Sequence, residues 1–217
     1  MNDKNIKAVI LDLDQTLTVD QGSWLRFTTL LGADFKVHLD IFNRFKAGEL
    51  TYPDAKKELI ELWKSVNTLE RKSIVEIFSK IELRAGALEA VSYLKSKYKL
   101  CVISGAINIF VDVISAKLGI EDKYSSTKFI FDESDVLVDF QYKLNRGEDK
   151  VAFFHDFCSK CSIEPQECAA IGDGESDMPI FKEAGLPILF IAAETNDEQK
   201  SLVKCHLKSW EDISEIL

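Results

Sequence analysis

The run Ala8-Val9-Ile10-Leu11, followed at once by Asp12-Leu13-Asp14-Gln15-Thr16, constrains the fold of this chain more than any other stretch. An unbroken apolar run of this length fits a strand buried on both faces. Two carboxylates one residue apart do not belong inside such a strand. They fit its carboxyl end, where the backbone leaves the sheet and polar groups meet solvent and ligand. Two Asp and a hydroxyl in one tight loop gather several oxygen ligands, and the mutual repulsion of the carboxylates favours a divalent cation such as Mg²⁺.

Downstream of this loop the pattern changes. From Asp20 to about Leu83 only helical spacing is visible. Trp24, Leu25, Phe27, Leu30 and Leu31 predict one helix stopped by Gly32, and Phe35, Leu39, Phe42 and Phe45 a second ending near Gly48. Thr51-Tyr52-Pro53-Asp54 reads as an N-cap with Pro in the first turn of a third, and Ile74, Ile77, Phe78 and Ile81 mark a fourth. The expectation is a helical cap over 18–83, inserted into a core domain made of 1–17 and 84–217. In the core, helices alternate with the strands Leu100–Ile103, ending at Ser104-Gly105, and Cys168–Ile171, ending at Gly172-Asp173, with Ile188–Ile191 as the last strand. Lys128–Phe131 and Val136–Phe140 predict an appended hairpin, Lys150 opens a helix, and Ser209 caps a closing helix over Trp210–Leu217. Strands alternating with helices imply an α/β fold with a mostly parallel sheet covered on both faces.

Composition narrows the partners. With 27 Lys and Arg against 36 Asp and Glu, the formal net charge is −9, which argues against a nucleic-acid surface. No apolar run approaches the roughly 20 residues of a membrane span, and the run ending at Asp12 is too short for the core of a signal peptide. Five cysteines, several in apolar runs, read as reduced core thiols of a cytoplasmic protein. Cys158 and Cys161 have metal-like spacing, but no second Cys or His pair completes a zinc set.

Asp12, Ser104 and Asp173 each stand at the end of an apolar strand, so a parallel sheet would bring them to one crevice, with Lys150 pointing in from its helix. Lys143 and Arg146 are less well placed rivals for that cation. With these residues in place, the chain resembles the haloacid dehalogenase-like hydrolase superfamily, in its phosphoserine phosphatase-like branch. The resemblance rests on Asp12-Leu13-Asp14-Gln15-Thr16-Leu17, Ile103-Ser104-Gly105, Lys150, and Gly172-Asp173-Gly174-Glu175-Ser176-Asp177, in that order.

The resemblance implies a Rossmann-like core and a Mg²⁺-dependent phosphatase acting on a small phosphorylated metabolite. Asp12 would be the nucleophile that carries the phosphoryl group, and Asp14 the general acid and then base. Asp12, the Asp14 backbone carbonyl and Asp173 would hold Mg²⁺. Ser104, Gly105 and Lys150 would grip phosphate oxygens, with Thr16 and Ser176 also at the substrate, and Asp177 would orient Lys150 or a metal-bound water. His38, His155 and His206 lie near no motif.

The chain departs from that branch at the substrate's far end. A Glu that contacts the substrate amino group falls nearest Gln21, beside Asp20, and an Arg that grips its carboxylate falls on Leu59. An alkyl group cannot replace a bidentate guanidinium. Arg26 and Arg44 are the other cap cations, though the spacing favours neither. Phosphoserine itself is therefore doubtful as the substrate. A phosphotransferase or phosphomutase shares the same motifs; an idle phosphometabolite-binding protein has no use for a nucleophile with a proton shuttle. Asp14 disfavours dehalogenase chemistry, and the missing membrane spans, with Asp where the pumps carry Thr, disfavour P-type ATPase chemistry.

Overall fold

The structure, a computed structural model, describes residues 5–19, 22–142, 146–193 and 195–217. Seven strands form one sheet: β1 (Ala8–Leu11), β2 (Lys99–Ile107), β3 (Asp122–Phe131), β4 (Leu137–Tyr142), β5 (Cys168–Gly172), β6 (Leu186–Phe190) and β7 (Cys205–Leu207), in the order β4-β3-β2-β1-β5-β6-β7. Every pairing is parallel except β3 with β4. The fold is the Rossmann-like α/β arrangement expected, and β1 lies at its centre between β2 and β5.

All four residues of β1 are buried, because each face of the sheet has its own apolar layer. Val9, Leu11, Val102 and Ile171 point into one layer, and Ala8, Ile10, Ile103 and Ala170 into the other, the period-two alternation of a strand. The second layer is closed by α7 (Arg146–Cys161) and α8 (Met178–Glu183) through Phe154, Phe157, Ile180 and Phe181. Cys158 is part of this packing, with its Sγ 3.8 Å from that of Cys168, and all five cysteines are free thiols.

The first layer carries α5 (Ala87–Lys95), α6 (Asn108–Leu118) and the 3-10 turn Trp210–Glu215, which Ser209 caps by accepting from the Glu211 amide. It also runs without a break into α1 (Ser23–Leu31), α3 (Tyr52–Lys64) and α4 (Arg71–Ser79), while α2 (Phe35–Lys46) lies outside it. Phe27, Trp63, Phe78 and Phe129 form one aromatic cluster that joins these helices to β3. Gly32 ends α1 in the left-handed conformation, with φ at 88°, and the Thr51 hydroxyl caps α3 as its sequence predicts.

Several expectations shift. Strand β2 does not stop at Ile103; it continues through a bulge between Ser104 and Ile107. Strand β3 starts six residues before Lys128, at Asp122: its polar first half pairs with β2, and only its second half makes the hairpin. Lys150 lies in the second turn of α7 rather than at its start. The closing segment is 3-10 rather than α-helical. Two short elements, α9 (Asp197–Leu202) and β7, carry too little apolar pattern to be read from sequence. Among the described residues no helix is long and apolar enough to cross a membrane.

Candidate active site

The loop after β1 is fastened from all sides. The Asp12 amide donates to the Ile171 carbonyl at 2.9 Å, extending the ladder with β5 by one residue. Leu13 and Leu17 are fully buried, and the amides of Leu17 and Thr18 both donate to the Leu13 carbonyl, which curls the loop into a tight turn. Gln15 pays for that turn with a φ of 61°. Two remote side chains hold it from behind: Arg84 Nε donates to the Gln15 carbonyl and Trp210 Nε1 to that of Thr16, both at 2.9 Å. Neither was marked by any sequence motif.

At the carboxyl ends of β1, β2 and β5 this loop meets a cavity of about 320 Å³, lined among others by Asp12, Asp14, Ser104, Gly105, Lys150, Asp173 and Ser176. The strand-end residues expected to converge do converge. Lys150 Nζ is 2.6 Å from Asp177 Oδ1 and 2.9 Å from Asp12 Oδ1, with Lys150 only 1% exposed. The approach to Asp12 is off the hydrogen-bonding direction, so Asp12 Oδ1 is buried without a hydrogen-bond partner among the described residues. The Ser104 hydroxyl sits within the bulge, accepting from the Ala106 amide at 3.3 Å. Ser125 and Thr127 brace that bulge by donating to the carbonyls of Ala106 and Gly105.

Three placements differ from expectation. Thr16 is fully buried and its hydroxyl donates to Asp173 Oδ1 at 2.9 Å, so it is absent from the cavity wall and acts on the cavity only through that carboxylate. Asp14 turns its carboxylate toward α1, accepting from the Ser23 amide at 2.9 Å and the Ser23 hydroxyl at 2.8 Å. The carboxylates that cluster are those of Asp12, Asp173 and Asp177, whose oxygens lie within 4.8 Å of one another, so Asp177 joins the acidic group as well as holding Lys150. Gln199 on α9 and Glu175 also line the cavity; the first rides on an element the sequence did not disclose.

Burial sets the electrostatics. It would push the Lys150 ammonium down, but Asp12 and Asp177 more than offset it and hold the group firmly protonated. Burial, then the charges of Asp12 and Asp177, raises Asp173 well above the usual carboxylate range, against the Thr16 hydrogen bond. Burial also raises Asp177, with Lys150 opposing. Lys150 is the one cation among the described lining residues, against Asp12, Asp14, Asp173 and Glu175. Such a wall repels a phosphate dianion unless a cation enters. The Asp12 oxygen, ion-paired with Lys150 but accepting no hydrogen bond from the described residues, and the clustered carboxylates are the donor set a hard divalent cation takes, at the cost of displacing protons from the raised acids.

The remaining candidates lie elsewhere. Arg44 is paired with Glu58 at 2.9 Å, and neither it nor Arg26 lines the cavity. His155 pairs with Glu183, and His206 faces the Val203 carbonyl. Asp20, Gln21 and Lys143 fall outside the described residues, as does the side chain of Arg146. Leu59 is 7% exposed and lines a second cavity beside the first.

A family model for haloacid dehalogenase-like hydrolases matches residues 6–185, and the chain belongs to that family. Within the family it falls in the phosphoserine phosphatase-like branch. A phosphoserine phosphatase of Archaeoglobus fulgidus is 30% identical over 191 residues, covering 87% of this chain; the chain spans 53% of that relative's length. One from Campylobacter jejuni subsp. doylei is 27% identical over 87% of this chain and 89% of its own. Among solved structures, a phospho-aspartyl intermediate analogue of phosphoserine phosphatase superposes with a TM-score of 0.72 at 23% identity, covering 99% of this chain and 100% of the other. That last likeness concerns the fold.

Proposed function

We propose that the chain is a Mg²⁺-dependent phosphomonoesterase that works through an aspartyl-phosphate. The observation that supports this reading is that Asp12 both pairs with Lys150 and joins Asp173 and Asp177 in the acidic cluster, with Asp14, two residues on, lining the same cavity.

An oxygen of Asp12 attacks phosphorus, and the bond from phosphorus to the ester oxygen breaks. Asp14 gives its proton to the departing alkoxide, then takes one from the water that attacks the phosphoryl group and releases Asp12 and inorganic phosphate. Ser104, the Gly105 amide and Ser176 bind phosphate oxygens, and Lys150, kept charged and aimed by Asp177, compensates the charge on the transferring group. Asp12, Asp173 and the Asp14 carbonyl would hold Mg²⁺, with Asp177 behind them, and such an ion would supply charge neutralisation between nucleophile and phosphate.

The helices of 18–83 serve as the cap on a catalytic body of 1–17 and 84–217. Support comes from the crossing point: Thr18 bridges Leu83, and the Val19 and Arg84 amides donate to the Glu82 and Leu17 carbonyls, so entry and exit run side by side. The substrate is a small phosphorylated metabolite of the cytoplasm. The test is release of phosphate from p-nitrophenyl phosphate with Mg²⁺: Asp12→Asn abolishes it, chelation stops it, and added Mg²⁺ restores it. Wild-type turnover by Asp12→Asn would overturn the mechanism.

A further inference from the structure

Beside the acidic cavity, and sharing Asp14 and Gly22 with it, lies a second cavity of about 280 Å³ between α1, α2, α3 and β4. Its walls are mostly apolar, with Trp24, Phe42, Tyr52, Leu59, Phe140 and Tyr142 prominent. The rings of Trp24 and Phe140 meet edge to face with centroids 5.0 Å apart, and Trp24 and Tyr142 likewise at 5.8 Å. Lys56 and His38 are committed to neighbours, whereas the buried Trp24 Nε1 has no hydrogen-bond partner among the described residues. Lys56 Nζ lies 2.8 Å from Asp139 and over the ring of Tyr52. His38 is held neutral by burial, its Nδ1 2.6 Å from the Thr28 hydroxyl. No unpaired cation lines it among the described residues.

From this geometry we infer that the cavity is the leaving-group subsite and that it takes a flat apolar alcohol rather than an amino acid or a sugar. The inference rests on the phosphatase reading above. Asp14 is common to both cavities, and in that reading it protonates the leaving oxygen. An ester seated on Asp12 therefore projects its alcohol past Asp14 into the aromatic chamber. A zwitterion there would find no unpaired cation among the described residues for its carboxylate, whereas a ring trades water for aromatic walls.

The test compares phenethyl phosphate with ethyl phosphate and phosphoserine, all alkyl esters, in the wild-type protein with Mg²⁺. Phenethyl phosphate should show kcat/KM roughly 30-fold or more above ethyl phosphate, the size expected for burying one ring. Leu59→Arg should shrink that ratio. Calorimetry with the non-hydrolysable phenethyl and ethyl phosphonates gives a second readout, with tighter binding and a negative heat-capacity change expected for the former. Equal kcat/KM values, or a preference for phosphoserine, overturn the subsite while leaving the phosphatase standing. If no ester is turned over yet the phosphonate preference holds, the catalytic reading fails and the apolar subsite survives. Loss of both sinks the inference.

Discussion

Replacing Gly172 with Ala tests whether Lys150 is held by close packing. Gly172 is the last residue of β5, and its φ is not in the left-handed region, so no backbone strain attends the change. A Cβ there would lie 2.3 Å from Asp177 Cγ and 2.4 Å from its Oδ2, against an ordinary contact of 3.4–4 Å. The carboxylate must retreat by about 1 Å, out of reach of both Lys150 Nζ at 2.6 Å and the Gly174 amide at 3.2 Å. A hydrogen bond between charged groups contributes about 1.5–3 kcal/mol, and overpacking costs about 1–3 kcal/mol. The lower entropy of an unfolded Ala returns about 0.4–1 kcal/mol. The expected loss is about 3 kcal/mol, read from the urea midpoint, with turnover reduced at least tenfold as Lys150 loses its aim. The cause is separable by a double-mutant cycle. In an Asp177→Ala background most of the clash and the ion pair are already gone, so Gly172→Ala should cost at least about 1.5 kcal/mol less than in the wild type. Additive costs would show that the glycine matters for some other reason.

Ser23→Ala removes one of the two donors that hold the Asp14 carboxylate; kcat should fall about tenfold with KM little changed, and an unaltered kcat would deny Ser23 any positioning role. His38 has a folded pKa pushed from 6.5 to about 4, so below pH 6.5 the unfolded chain takes up a proton that the folded one refuses. Stability should therefore drop by roughly 3 kcal/mol between neutral pH and pH 4, and His38→Gln, compared by urea titration at both ends, should lack that part of the drop. Asp173→Asn relieves the crowding of three carboxylates, so it should raise the melting temperature of the metal-free protein while removing the further rise that Mg²⁺ gives the wild type. A lower melting temperature for the metal-free variant would mean the acids are not in conflict.

The strand-end residues were legible because buried strands and the polar groups that leave them differ sharply in character. Asp12 after Ala8–Leu11, and Asp173 after Cys168–Gly172, break an apolar run at the sheet edge where ligands bind; Asp173 before Gly174 also reads as a turn residue, and it is the set of strand ends together that points to a site. The polar half of β3 was not legible for the converse reason. Asp122, Lys123, Ser125 and Thr127 pair with β2, and the hydroxyls of Ser125 and Thr127 brace the bulge at Ser104, so tertiary context overrides a composition that reads as loop. Cys205–Leu207 and Asp197–Leu202 are too short to show a period at all.

What sequence spacing withholds most completely is the set of distant groups that tighten the site. Arg84 and Trp210 each make one directed bond to the loop of 14–16, and Ser23 two, from 69, 194 and 9 positions away. No periodicity connects such residues; only the fold does. The same limit holds for the second cavity, where Phe140 and Tyr142 come from an appended hairpin and Trp24, Tyr52 and Leu59 from helices of 18–83. Read one segment at a time, those residues are ordinary core. Assembled, they wall a chamber that Asp14 also lines, so the hairpin that looks like a sheet accessory reaches the edge of the acidic cavity.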